Sequence, residues 1–146
     1  MLGTDRPPAE LGQFTGFLLN WLGARSRDRF MAVLEPHGLH PRDFGVMVVL
    51  AAHPGVTQHD LAESSEVDRS SLVAVLDGLE ARGLAERRTH AEDRRKRAVH
   101  LTAHGEATLA TLQAEAREVG RELLAPLEAE ERKELQRLLR KLARIE

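Results

Sequence analysis

The residues with the most distinctive chemistry are a run of charged side chains at a polar turn, residues 93–97, with the sequence Asp-Arg-Arg-Lys-Arg. Guanidinium and ammonium groups at this density bind phosphates, and arginine can also hydrogen-bond base edges or enter a narrow minor groove. The segments on either side, 84–88 and 98–101, have the length and composition of short strands. The pattern therefore predicts a β-hairpin with a cationic tip, which suits the binding of a polyanion and is poorly suited to catalysis.

Positive charge is concentrated around this turn, although the chain of 146 residues is slightly acidic, with a formal net charge of −2 at pH 7. Between Arg82 and His100, seven lysines and arginines stand against three acids, an excess of four positive charges. Residues 106–146 are close to neutral. A localised basic surface on a near-neutral protein is typical of nucleic-acid binding, although a solvated charged hairpin would have the same composition.

The segment before the hairpin predicts an amphipathic helix over residues 69–82, because apolar side chains recur at positions i, i+3, i+4 and i+7. Asp68 is expected to cap this helix, since its carboxylate can reach the amides of the first turn. A helix that leads into a two-stranded ribbon with a cationic tip fits two adjacent grooves of a DNA duplex.

A shorter helix is predicted just upstream, because Thr57 and Asp60 have the spacing of a capping box with the shorter acid. Residues 64–68 then predict a turn. A short helix, a tight turn and a longer helix with small and polar residues on its outer face are typical of a helix-turn-helix. That outer face carries Arg69, Ser70, Ser71, Val73, Ala74 and Asp77.

Helices are also predicted at both ends of the chain. The first runs from Pro7 to about Leu34, another begins near Pro41, Thr102 caps a long helix, and a last helix starts near Ala129. Apolar residues between 109 and 123 recur with the spacing of a coiled-coil seam. Because little besides each other and a second subunit could cover these apolar stripes, we infer a homodimer. The alternative is an intramolecular helical bundle over the central lobe.

Composition excludes several classes of function. The absence of cysteine removes disulfides, thiolate metal sites and thiol redox sensing. No apolar run approaches the roughly 20 residues that span a bilayer, and no secretory signal begins the chain. We therefore expect a cytoplasmic protein without a membrane partner.

Residues that could bind a metal or act in catalysis are few. His37, His40 and His104 lie near predicted helix ends, where histidine is common, so no metal site and no cofactor are expected. His59 and Ser64 fall within the predicted helix-turn-helix, and no nucleophile, base and orienting group can be combined from them. A glycine-rich phosphate loop is also missing from the sequence. We therefore predict that the chain is not an enzyme.

In this order and spacing, the motifs resemble the MarR family of winged-helix transcriptional regulators over nearly the whole chain. Residues 57–88, TQHDLAESSEVDRSSLVAVLDGLEARGLAERR, match the helix-turn-helix, and residues 92–106, EDRRKRAVHLTAHGE, match the wing. The resemblance implies one domain over residues 1–146, mainly α with a small β-wing. Its parts would be a winged helix-turn-helix DNA-binding lobe at 41–102 with the wing at about 85–101, and flanking dimerisation helices at 1–35 and 103–146.

The resemblance also implies a homodimeric, ligand-responsive repressor that binds an inverted-repeat operator in double-stranded DNA. The helix from Arg69 would enter the major groove, and Arg95, at the second position of the wing motif, would enter the minor groove. Asp93 would brace the wing by pairing with an arginine. The residues expected nearest base edges and phosphates are Arg69, Ser70, Ser71 and Ala74, and the further phosphate-contact candidates are Gln58, Arg87, Arg88, Arg94 and Lys96. Of the adjacent Arg87 and Arg88, only one is expected to face DNA, because successive strand residues point to opposite sides. The competing hypothesis is a helical dimeric adaptor whose basic hairpin binds acidic protein surfaces.

Members of the family commonly bind a small anionic aromatic ligand between the dimerisation helices and the DNA-binding lobe. Trp21 and Arg25 lie one turn apart on the first helix and could together hold an aromatic carboxylate. The alternative is structural, with Trp21 packed at the dimer interface and Arg25 paired with an acid such as Asp28 or Glu35.

Overall fold

Helices make up most of the structure, and three short strands form a small sheet beside them. The computed structural model describes residues 6–64 and 67–145. Within those ranges the elements are α1 (Thr15–Leu34), α2 (Pro41–Ala52), β1 (Val56–Thr57), α3 (Gln58–Ser64), α4 (Arg69–Ala81), β2 (Ala85–Thr89), β3 (Arg97–Leu101), α5 (Ala103–Leu123) and α6 (Ala129–Leu142). The predicted mainly helical architecture with a β-wing is confirmed. The predicted turn at residues 64–68 lies partly outside the described residues, as do residues 1–5 and 146 of the predicted terminal segments.

The sheet holds the wing beside the helix-turn-helix. Its strand order is β1-β3-β2 and both pairings are antiparallel, with Val56 opposite Val99 and Ala85 opposite Leu101. Strands β2 and β3 form the predicted hairpin. The sequence does not predict β1, because two residues are too few to show an alternating pattern. Its pairing with β3 anchors the chain immediately before α3.

The hydrophobic core lies where helices α2 to α5 meet the sheet. Leu76 of α4 and Leu112 of α5 are fully buried there. The other fully buried side chains are Leu34, Val46, Met47, Leu50, Leu61, Leu72, Leu79 and Val99. Since α4 buries one face in this core, its opposite face stays at the surface. The side chains on that exposed face are the ones that can contact a partner.

Three predicted helix caps are present, and in the first of them Thr57 Oγ1 accepts a hydrogen bond from the Asp60 amide at 3.1 Å. The Asp68 carboxylate accepts a hydrogen bond from the Ser71 amide at 2.9 Å. Thr102 Oγ1 accepts one from the Gly105 amide at 3.0 Å and donates another to the Gly83 carbonyl at 2.5 Å. Gly83 has a φ of 69°, the left-handed conformation that glycine adopts without strain, so the chain can leave α4 and enter β2. Thr102 thereby ties the end of α4 to the start of α5.

The first helix begins later than predicted. The pattern predicts a helix from Pro7, whereas the chain forms a 3-10 turn at Ala9–Gln13 and begins α1 only at Thr15. Between them, Phe14 has an extended backbone with φ −100° and ψ 106°. A glycine lies close to each side of this break, and glycine disfavours the helix because it loses the most backbone entropy on ordering.

The terminal helices are only partly covered within one chain. Helix α1 packs along α5, where the guanidinium of Arg29 lies 3.8 Å from the Glu122 carboxylate. At the start of the predicted seam, Leu109 and Leu112 are buried in the central core. Three leucines of α6 remain exposed in the described part of the chain, with exposed fractions of 42% for Leu138, 39% for Leu139 and 70% for Leu142. An intramolecular bundle thus leaves the α6 stripe uncovered. None of the described helices combines the length and apolar character needed to cross a lipid bilayer.

Gly105 should not tolerate a side chain. A Cβ at this position would overlap the backbone carbonyl of Leu84, whereas a Cβ at Gly45, in the exposed part of α2, would meet open space. We expect Gly105→Ala to lower the free energy of unfolding by about 1–3 kcal/mol or more, the usual cost of overpacking. Gly45→Ala should leave it unchanged or raise it by up to about 1 kcal/mol. Urea unfolding of both variants measures this, and equal stabilities would contradict the close packing of α5 on Leu84.

Candidate nucleic-acid interface

The first turn of α4 is organised around the Asp68 carboxylate. Besides the Ser71 amide, it accepts hydrogen bonds from the hydroxyls of Ser70 at 2.7 Å and Ser71 at 2.8 Å. The Ser71 amide, together with these two hydroxyls, holds the pKa of Asp68 well below its ordinary range. Because each serine donates its proton to the cap, each hydroxyl oxygen is left to act as an acceptor, for which the amino group of a base is a suitable donor.

Arg69 is held at the junction of α3 and α4. Its side chain is 72% exposed, and its guanidinium lies 3.4 Å from Nδ1 of His59 and 3.6 Å from the Glu63 carboxylate. The cleft between the two helices has a volume of about 300 Å³, and Gln58 and Val73 also line it. The predicted contact residues at the start of α3 and α4 are therefore brought together on one surface.

Val73 and Ala74 complete the exposed face of α4. Val73 is 40% exposed, and Ala74 is also exposed. The sequence places Val73 on this face but gives no reason to include it among the contact residues. Val73 is an exposed apolar side chain next to Arg69, a predicted base-reading residue. This position identifies it as a candidate, because an apolar side chain can contact a thymine methyl group.

The tip of the wing is fixed by Asp93. Its carboxylate accepts hydrogen bonds from the Arg95 amide at 3.0 Å and from Nε of Arg95 at 3.3 Å, and its carbonyl accepts one from the Lys96 amide at 3.0 Å. The Arg95 amide, and then its side chain, lower the pKa of Asp93. The Arg95 side chain is nevertheless 92% exposed. Asp93 thus shapes the turn while the arginine projects into solvent, and Arg94 and Lys96 are exposed beside it.

A second brace at the tip is the imidazole of His90. Its Nδ1 accepts hydrogen bonds from the Glu92 amide at 3.2 Å and the Asp93 amide at 3.3 Å. Sequence reasoning does not identify His90, because an acceptor for two amides further along a turn is indistinguishable from any other polar loop residue. The His90 amide also donates to the Lys96 carbonyl at 3.0 Å, which closes the base of the turn.

The two adjacent arginines of β2 have different surroundings. Successive strand residues point to opposite sides. The Arg88 side chain is 60% exposed and pairs with Glu86 on the same strand. Only 17% of the Arg87 side chain is exposed, and it pairs with Asp77 and Glu80 of α4. Arg88 is therefore the one that presents its guanidinium to solvent.

The predicted ligand residues lie at the junction of α1 and α5. The Arg25 Cζ lies 4.7 Å from the centroid of the Trp21 ring, which is a cation–π contact. Both residues border a cleft of about 320 Å³. Its other lining residues are Arg6, Leu22, Arg29, Glu122, Leu123 and Pro126.

A second cleft, of about 370 Å³, is formed by α1, α2 and α5. Phe30 and Phe44 meet there edge to face with their centroids 4.8 Å apart, and Ser26 and Arg27 supply polar groups. The sequence does not indicate this cleft, because its residues come from three elements that are distant along the chain.

The exposed face of α4 and the cationic hairpin beside it define a class of protein, a winged helix-turn-helix DNA-binding regulator. A model of the MarR family matches residues 37–96. An HTH-type transcriptional repressor of Mycobacterium tuberculosis is 32% identical over 127 residues, covering 87% of this chain and 91% of the relative. The transcriptional regulator HosA of Escherichia coli is 37% identical over 99 residues, covering 68% of this chain and 73% of HosA.

Solved structures agree with these relatives. The transcriptional repressor CouR, in a structure bound to a 23-mer DNA duplex, matches with a TM-score of 0.82 at 32% identity, over 96% of this chain and 99% of CouR. The chain belongs to the MarR family. It is a DNA-binding transcriptional regulator and not an enzyme, as predicted.

Replacing His90 should loosen the tip of the wing. His90→Ala removes the acceptor shared by two amides, and a net hydrogen bond is worth about 0.5–1.5 kcal/mol. The Glu92 and Asp93 amides should therefore exchange with solvent up to about tenfold faster, as measured by hydrogen exchange and NMR. His90→Asn is the matched control, because an amide oxygen can take the place of Nδ1. Equal protection in the wild type and the alanine variant would contradict this role.

Proposed function

We propose that this chain is a homodimeric, sequence-specific repressor that binds an inverted-repeat operator in double-stranded DNA and releases it when a ligand binds. The observation that carries the proposal is the pairing of two exposed elements on one rigid lobe. One is the outer face of α4, and the other is the wing tip with its 92% exposed Arg95. A helix of this kind fits the major groove, and the wing reaches the adjacent minor groove.

The proposed DNA contacts divide into base reading and phosphate binding. On α4, Arg69 can pair with guanine, Ser70 and Ser71 can accept from base amino groups, and Ala74 is small enough to admit a thymine methyl. Arg95 would enter the minor groove, where A·T-rich sequence concentrates negative potential. The proposed phosphate contacts are Gln58, Arg88, Arg94 and Lys96.

The proposed dimer is supported by the apolar stripe on α6, which is exposed in the described part of the chain at Leu138, Leu139 and Leu142. A two-fold dimer built on the terminal helices would present two α4 helices to half-sites about one helical turn apart. An inverted-repeat operator follows from that symmetry.

Selection of bound duplexes from a random pool tests the proposal. We expect an inverted repeat bound by two chains per duplex. Arg95→Ala should weaken binding to it and reduce the slope of log affinity against log salt by roughly 0.9 for each phosphate that the variant no longer neutralises. Lys133→Ala is the charge-matched control, because Lys133 pairs with Glu130 on α6, away from the wing.

Two results would reject this proposal. Unchanged affinity and slope for Arg95→Ala, with the fold intact by circular dichroism, would reject the wing assignment. Binding without any preference for an inverted repeat over random DNA would favour the dimeric adaptor.

We propose that the releasing ligand is a small aromatic anion bound at Trp21 and Arg25. The cleft beside these residues has Arg6, Arg25 and Arg29 against a single acid, Glu122, among its lining residues. An excess of guanidinium groups next to an indole ring suits a carboxylate attached to an aromatic ring.

Fluorescence of Trp21 can report this binding directly, since it is the only tryptophan in the sequence. Benzoate should change the emission of the wild type in a saturable way and lower its affinity for the selected operator. Arg25→Ala should weaken the effect of benzoate, while Arg27→Ala, in the second cleft, should leave it unchanged. The reverse pattern would place the ligand in the second cleft, and the absence of any response would exclude benzoate-like anions.

A further inference from the structure

We infer that Arg87 is a positioning residue that sets the wing against the reading helix, and that it does not contact DNA. This inference rests on the proposed function, because it concerns how the two DNA-binding elements act together. The sequence leaves open which of the adjacent Arg87 and Arg88 faces DNA, and the inference assigns that contact to Arg88.

The contacts of Arg87 cross from the wing to α4. Its Nη2 lies 2.5 Å from Oδ1 of Asp77, and its Nε lies 3.7 Å from Oε2 of Glu80. The Arg87 amide also donates a hydrogen bond to Oε1 of Glu80 at 3.0 Å. Asp77 and Glu80 are three residues apart, so they lie on the same side of α4. Strand β2 is therefore attached to the helix through both the backbone and the side chain of one residue.

The electrostatic surroundings of Arg87 oppose a phosphate contact. Two carboxylates already face its guanidinium, and a phosphate at the same place would be repelled by both. Only 17% of the Arg87 side chain is exposed, so little of its guanidinium is open to a phosphate arriving from solvent. The buried Nε has no hydrogen-bond acceptor among the described residues, so the Glu80 carboxylate is the charge that stabilises it in place.

Arg88 provides a built-in comparison. It is the next residue on the same strand, its side chain is 60% exposed, and its partner Glu86 belongs to β2 as well. Its ion pair therefore lies within β2 and does not link this strand to another element. The neighbouring arginines differ in role because strand geometry points one at the helix and the other at solvent.

The ion pairs of Arg87 with Asp77 and Glu80 form a clamp, and its position explains why it matters for recognition. The reading residues occupy the first half of α4, and the wing tip lies at the far end of β2. The link between helix and strand is short, and although Thr102 holds the Gly83 carbonyl, Gly83 has no side chain that could pack between the two elements. An ion-pair clamp placed after this link holds the angle between the two elements, so that both grooves can be occupied at once.

Replacing Asp77 distinguishes a positioning role of Arg87 from a direct DNA contact, because the two roles predict opposite changes in DNA affinity. Asp77→Asn removes an acid from the exposed face of α4. If Arg87 contacted phosphate, this change would strengthen DNA binding, because it removes repulsion and frees the guanidinium. If Arg87 acts through Asp77, the same change weakens binding to the operator.

The experiment measures fluorescence anisotropy of the selected operator and of a random duplex at several salt concentrations. We expect Arg87→Gln to weaken operator binding by about tenfold and Asp77→Asn by a few fold, with a smaller loss on the random duplex. The double variant should bind no worse than Arg87→Gln, because both changes break the same clamp. Arg88→Gln, the matched control, should instead lower the salt slope by roughly 0.9.

Tighter binding by Asp77→Asn would overturn the inference, as would additive losses in the double variant or a salt slope for Arg87→Gln that falls as it does for Arg88→Gln. Thermal unfolding is recorded for every variant. If Arg87→Gln does not fold, the direction in which Asp77→Asn changes operator affinity still distinguishes a positioning role from a phosphate contact. Failure of the wild type to prefer the operator would count against the proposed function itself.

Discussion

The burial of one face of α4 is the constraint on which the rest of the structure depends. Leu72, Leu76 and Leu79 are at most 1% exposed and pack into the core. Because a helix has a fixed rotation per residue, burying these side chains also fixes the direction of every other side chain on α4. The outer face is therefore presented as a rigid surface. The cost of rotating α4 would be the exposure of three leucines, each worth about 1.5–3 kcal/mol of burial.

Acids within the basic surface serve as internal acceptors. Asp68 organises the first turn of α4, Asp93 shapes the wing tip, and Asp77 receives the guanidinium of Arg87. Each would repel phosphate if it were unpaired, and each is instead hydrogen-bonded to a group that must be oriented. These acids lower the net positive charge of the surface, but each also fixes the position of a group that the surface needs.

Sequence patterns predicted the elements that depend on local chemistry and missed those that depend on tertiary contacts. The helix at 69–81, its Asp68 cap and the hairpin follow from periodicity, capping and turn residues. Strand β1 exists only through its pairing with β3, and the pairing of Arg87 joins residues seven to ten positions apart in two different elements. The role of His90 is hidden for a different reason, because its hydrogen bonds are local but an acceptor within a turn has no distinctive sequence pattern.

The bond between Thr102 and Gly83 makes α5 a lever arm that carries the reading helix at one end and, in the proposed dimer, pivots at the other. Helix α5 has 21 residues, which at 1.5 Å per residue gives a rod of about 30 Å. A rotation of about 5° at one end of such a rod displaces the other end by about 3 Å. In the proposed dimer, small adjustments where the terminal helices meet would thus be amplified at the DNA, and the geometry that spaces the two half-sites would be set far from the grooves themselves.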